Sequence, residues 1–230
     1  MHRVWLILGV LAIAAPAHAD DLSDPYAAIT LNLGLAGDAD LHTDGIRIAG
    51  LSLAAGASAD FAPQVSIGGG ILYMHPIIDF FSLGGRFSVL SWRTDSEGSG
   101  SRNLAFDLAV VPQARLPLTA AIELYLSIPV GIAMNVLNEF DRTASLDFAG
   151  LNASASLDSD LGVGWNVAAL VGARLALSRS FGLLAELGYG LHSVSHDVSF
   201  RAGIGGASGE AAADVDVRWS QIALDVGAYF

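Results

Sequence analysis

From Tyr26 onward the chain alternates. Apolar side chains recur at every second residue, the period of a β-strand rather than of a helix. In the last segment Ile222, Leu224, Val226, Ala228 and Phe230 share one face, and Gln221, Ala223, Asp225, Gly227 and Tyr229 share the other. Residues 161–175 put Leu161, Val163, Trp165, Val167, Ala169, Val171, Ala173 and Leu175 on one side. Residues 122–136 repeat the pattern with Ile122, Leu124, Leu126, Ile128, Val130, Ile132, Met134 and Val136.

The second face is the unusual one. It mixes Gly, Ala and isolated charges, while the apolar face is nearly unbroken. A soluble sandwich would wet its polar face. Here the pattern suits a closed barrel with lipid outside and a narrow, filled interior. Closure is required, because an open sheet edge in hydrocarbon leaves backbone groups unpaired.

Composition narrows the picture. The chain has 230 residues, 53% of them hydrophobic and only 15% charged. Beyond the first twenty residues no apolar run is long enough for a spanning helix. The absence of Cys excludes disulfides, thiol catalysis and Cys-ligated zinc. A formal charge of −12, with every basic residue an Arg, makes nucleic acid a poor partner.

Residues 1–19 read as a cleaved secretory signal. His2 and Arg3 precede an apolar core from Val4 to Ala15, and Ala17-His18-Ala19 fits the small-x-small cleavage rule. Residues 20–230 are then the mature barrel domain, with no further domain expected after the last strand.

The signal together with the C-terminal strand ending in Phe230 resembles bacterial outer-membrane β-barrel proteins, of the small eight-stranded OmpA, OmpX and OmpW type. That resemblance implies an outer-membrane location, contact with lipid and lipopolysaccharide, and a monomeric state. It also implies that Ile222, Leu224, Val226, Ala228 and Phe230 form the signal read by the barrel assembly machinery.

The predicted architecture is an all-β, eight-stranded antiparallel up-and-down barrel with extended extracellular hairpins. The strands fall near 26–47, 53–75, 79–95, 102–116, 120–147, 153–176, 181–202 and 213–230. Short turns are expected at 76–78, 117–119 and 178–180, with long Gly-, Ser- and Asp-rich loops at the other end. Inward glycines (Gly68, Gly70, Gly84, Gly131, Gly162, Gly164, Gly172, Gly188 and Gly190) leave room for larger neighbours. Pro129 predicts a bulge. Two aromatic girdles are expected: Phe80, Phe81, Phe181, Tyr229 and Phe230 near the turns, and Trp92, Trp165, Tyr189 and Trp219 toward the loops.

Seven charges face inward: Arg86, Asp107, Arg115, Glu123, Arg174, Glu186 and Asp225. Isolated charges there would be costly, so they should pair. Arg115 and Glu123 are symmetric about Thr119, and Arg174 and Glu186 about Ser180. Each couple is therefore expected to meet across its hairpin. The reading is a structural network of salt bridges rather than an ion path.

The remaining candidates for chemistry are sparse. A metal site or a Ser–His hydrolase could be drawn from His42, His75, His192 and His196, but they read as solvated histidines at the bases of the loops. Gly162-Val163-Gly164 lies in a strand, with Val167 in the third glycine position, so a nucleotide loop is rejected. Acidic residues at the loop ends read as a solvated rim. No cofactor, no metal site and no enzymatic activity are expected, and the role is that of a structural or surface-interaction barrel. Two rivals stay open. One is an OmpW-like carrier with a small hydrophobic ligand held by Ile46, Ile48, Leu51, Leu53, Phe148, Leu151 and Phe200. The weaker one is a lipid-A-modifying enzyme.

Overall fold

The computed structural model describes residues 24–35, 37–48, 51–53, 57–61, 65–93, 102–138, 142–148, 151–204 and 207–230. The signal segment and the loop tips near 49–50, 94–101, 149–150 and 205–206 lie outside the described residues. Those described are strands and turns, without helix.

Eight staves are assembled from the strands. The first is β1 (Tyr26–Leu35) continued by β2 (Ala39–Ile48). The second is β3 (Leu51–Leu53), β4 (Ala57–Phe61) and β5 (Ser66–Ile78). β6 (Phe81–Trp92) and β7 (Asn103–Pro117) follow. The fifth is β8 (Ile122–Ser127), β9 (Val130–Val136) and β10 (Arg142–Phe148). β11 (Leu151–Ser159) and β12 (Gly162–Ser178) make the sixth, and β13 (Phe181–Ile204) and β14 (Ala207–Tyr229) the last two.

Every pairing is antiparallel, and the ring closes. β1 pairs β5, β5 pairs β6, and β6 pairs β7. β7 pairs β8 and β9, and both of these pair β12. β12 pairs β13, β13 pairs β14, and β14 returns to β1. At the seam the backbone of Ala27 and Phe230 exchanges two hydrogen bonds, of 3.0 and 2.9 Å. The chain is therefore an eight-stranded antiparallel barrel without free edges around its ring.

Burial inverts the soluble pattern, as alternation requires. Outward Ile29, Ile67, Ile71, Leu108, Val110, Ile132, Val171 and Leu187 are all exposed. The inward face is buried and largely polar.

The staves continue unequally beyond the ring. β13 pairs β14 from Gly182↔Tyr229 to Ile204↔Ala207, whereas β6 and β7 part at Trp92↔Asn103. The 24 residues of β13 cover about 80 Å at ~3.3 Å each, and a tilted membrane crossing needs only about 9–11 residues. In the continuation β10, β11, β13, β14, β2 and β3 form one sheet in that order.

Several sequence expectations shift. The first turn falls at Asp79–Phe80, and β5 runs through Pro76 to Ile78 with a bulge between Pro76 and Ile78. Pro129 makes no bulge. β9 keeps the register of β8 against both β7 and β12. Pro129 instead removes one donor from the ladder, because it has no N–H. Its carbonyl still accepts from Ala168 N at 3.0 Å, and the neighbouring Ile128 N donates to the carbonyl of Pro112 at 3.0 Å.

Three of the aromatics assigned to girdles point inward. Trp92, Trp219 and Tyr229 are at most 7% exposed. Parity explains it: Trp219 and Tyr229 share the face of Asp225, and Trp92 that of Arg86. Trp165, Tyr189, Phe80, Phe181 and Phe230 do face outward.

Candidate functional site: a layered charged interior

The interior is stacked in layers along the barrel axis. At the turn end lies an apolar cluster of Tyr26, Ala28, Leu72, Met74, Val111, Leu184 and Tyr229. At the opposite end lies a second, built from Ala39, Leu90, Trp92, Ala105, Ala133, Leu137, Val194, Val217 and Trp219. All seven charged residues singled out from the sequence are buried, and they fall into three groups.

In the lowest group one carboxylate serves two guanidinium groups. Glu123 accepts from Arg115 at 2.7 Å and from Arg174 at 2.9 Å. Register explains the choice. Arg174 lies directly opposite Glu123 across β12 and β8. Glu186 lies opposite Gly172 instead, so the hairpin symmetry about Ser180 is off by a residue. Arg115 stands opposite Tyr125, and reaches Glu123 diagonally. The pairing drawn from sequence for Arg174 is thus replaced by Arg174–Glu123.

The middle group reverses the ratio. Arg86 donates to Asp225 at 2.8 Å and to Glu186. These two carboxylates face each other across β13 and β14. Such like charges repel unless a cation lies between them. The planar guanidinium fork of Arg86 can serve both at once, which an ammonium does less well.

The upper group pairs Asp107 with a histidine. His192 Nε2 lies 3.1 Å from Asp107 Oδ2, and Ser88 Oγ donates to the same oxygen at 3.5 Å. The imidazole stacks on Trp219 with centroids 4.4 Å apart, and Trp219 stacks on Trp92 at 5.9 Å. Between the middle and upper groups lies a cavity of about 70 Å³, lined by Asn32, Arg86, Asp107, Asn166, His192 and Asp225 among others. It has room for a few water molecules, with a few polar groups set in a largely apolar lining.

Sequence parity located the charges, but it missed their aromatic and neutral partners. Arg174 sits under the Tyr26 ring at 4.1 Å and the Tyr229 ring at 5.3 Å. Glycines make the space. A side chain at Gly172 would collide with the Tyr125 ring, and one at Gly182 with the Tyr229 ring. Both are cross-strand pairs of glycine with tyrosine, Gly172↔Tyr125 and Gly182↔Tyr229. Once the turns are placed, that coincidence of Gly and Tyr is readable in the sequence.

The other candidate residues do not assemble into a catalytic site. His75 is exposed on the outer face, as is His42 on β2. Among the described residues no three His, Asp or Glu side chains come together as metal ligands. The side chains of Ile46, Ile48, Leu51, Leu53, Phe148 and Leu151, named for the carrier reading, lie outside the described residues, and Phe200 is exposed. The rim carries Arg201 between Asp158 and Glu210 at 3.7 and 3.3 Å, all well exposed. Such pairs contribute little.

His196 lies above the outward apolar band, level with exposed Ser195 and Asp197. Its ring is buried, and Nδ1–H donates to the Asp160 carbonyl at 3.1 Å. Burial pushes its pKa down, and the carbonyl opposes this in part. A depressed folded-state value means that the unfolded chain binds the proton more readily. Stability is therefore full above the ordinary histidine pKa of about 6.5 and falls as pH drops from there through the folded value. His196→Gln is expected to flatten the pH dependence of the urea midpoint between about pH 7.5 and 5. An unchanged slope would exclude His196 as the source.

No protein-family profile matches this sequence, and no curated protein does. Solved structures with similar folds include three outer-membrane proteins. One is OprG of Pseudomonas aeruginosa, with 11% identity, 88% of this chain and 95% of that one covered, and a TM-score of 0.44. The attachment invasion locus protein Ail of Yersinia pestis has 12% identity, coverage of 90% and 99%, and a TM-score of 0.34. The outer membrane protease OmpT of Escherichia coli has 10% identity, coverage of 91% and 97%, and a TM-score of 0.37.

Proposed function

We propose that this chain is a bacterial outer-membrane barrel that works through its surface, with a lumen that is a structural plug. The observation that carries this reading is the layered interior. Paired charges fill the middle, apolar clusters stand at both ends, and the cavity between holds about 70 Å³. Outside, the apolar band is exposed, as lipid contact requires. A burial-and-pairing account already explains every interior charge, so none needs a transport or catalytic role.

In this reading the protein is non-enzymatic and monomeric. It contacts lipid and lipopolysaccharide, and offers its C-terminal strand to the assembly machinery. The long continuation of β13 and β14 stands outside the membrane as the interacting surface. Its acidic side chains keep it solvated.

Purified protein in planar bilayers is expected to give no stable conductance at physiological salt. Large, persistent channels would overturn the filled lumen. Cell fractionation with a tagged chain tests the location, and recovery in the inner membrane or cytosol would overturn it.

A further inference from the structure

In the lowest charged group two guanidinium groups share Glu123. Arg174, 1% exposed, also lies under two aromatic faces, Tyr26 at 4.1 Å and Tyr229 at 5.3 Å. Ring quadrupoles attract a cation, and more strongly once water is gone.

The position of the two rings matters. Tyr26 opens β1 and Tyr229 closes β14. These are the two strands that meet last in chain order, and their junction is the seam of the ring. The rings touch edge-to-face at 5.4 Å, so neither seat is complete without the other. Gly182, on the stave beyond β14, leaves the space into which Tyr229 folds. Arg174 itself stands on β12, two staves from the seam, and is fixed there by Glu123.

We propose that Arg174 is a closure latch: it lies under both aromatic faces only when β1 and β14 have joined and brought Tyr26 beside Tyr229, and so it holds the seam shut from inside. With the seam open, the guanidinium keeps its carboxylate and Tyr229, which stays seated against Gly182 on β13, but loses the Tyr26 face. The ring contact therefore acts at the seam, whereas the Arg174–Glu123 pair acts at the β8–β12 junction.

Backbone hydrogen exchange of the folded protein in phosphatidylcholine vesicles tests this. In Arg174→Met, the seam amides of Ala27 and Phe230 are expected to exchange at least about tenfold faster, with the β6–β7 ladder changed less than about twofold. Tyr26→Leu with Tyr229→Leu leaves the Arg174–Glu123 pair intact, and should give the same seam-specific change. Arg174→Lys keeps the charge and should fall between wild type and Arg174→Met. A uniform rise over all staves, or an unchanged seam in the double tyrosine variant, would overturn the latch. If Arg174→Met does not fold, Ile29→Cys and Ala228→Cys joined by a short bifunctional maleimide should restore folding, because these residues are partners across the seam. Failure of that cross-link to restore it would also overturn the proposal.

Discussion

Glu123→Gln is expected to be the most damaging charge substitution in the barrel. It removes the one carboxylate that Arg115 and Arg174 share, while all three side chains are buried. Removing one partner of a buried ion pair costs about 3–5 kcal/mol, because the remaining charge is left without compensation. Here two charges are left, so the upper end of that range applies. Urea unfolding from lipid vesicles, followed by tryptophan fluorescence, reads the change. The sharing also alters what a rescue requires. Arg115→Met with Glu123→Gln leaves the buried Arg174 without its Glu123 carboxylate and should stay strongly destabilised. Arg115→Met, Glu123→Leu and Arg174→Met together leave no charge in the layer, and should recover most of the loss. If the triple variant is as damaged as Glu123→Gln, the ion-pair account of this layer is wrong.

Gly131→Val is expected to be comparably severe for a different reason. A side chain there would enter the backbone of β7, at the Leu108 carbonyl and the Ala109 Cα. A flexible neighbour could swing aside, but a strand held in a closed ring cannot. Overpacking typically costs about 1–3 kcal/mol, and a clash with backbone belongs above that range. Loss of about 3 kcal/mol or more, or failure to refold, is the expected result. Gly209→Val is the control, since nothing lies within 4 Å of that position. It should change stability by less than about 0.5 kcal/mol. Equal effects at the two sites would mean that interior packing does not limit this barrel.

Alternation made the ring legible, because lipid and lumen impose opposite demands on successive residues. Parity then placed Arg86, Asp107, Arg115, Glu123, Arg174, Glu186 and Asp225 inside. It could not give their partners. Partner choice depends on register between strands distant in the chain, and a shift of one residue at a turn moves every pair. Arg174 shows this: its expected partner across the hairpin is replaced by Glu123 on the other neighbour. The aromatic assignments failed for a related reason. Height along the barrel puts Trp92, Trp219 and Tyr229 in the girdles, but the side they face decides their role. The break at Pro129 was legible as an irregularity, but not as a ladder gap with its register kept.

That gap has a mechanical meaning. Pro112 cannot donate toward the β8–β9 stave, and Pro129, within that stave, cannot donate toward β12. The stave therefore lacks one rung on each flank, near the middle of the barrel. In the β5–β6 and β12–β13 ladders the irregularities, at Pro76/Ile78 and Ala176/Ser178, lie at the turn end, so a pulling force parallel to the strands is shared there along rows that run on through the middle. At this stave the rows are interrupted on both sides at nearly the same height. Drawn apart under load, the barrel should tear along this stave first, with the other ladders still intact.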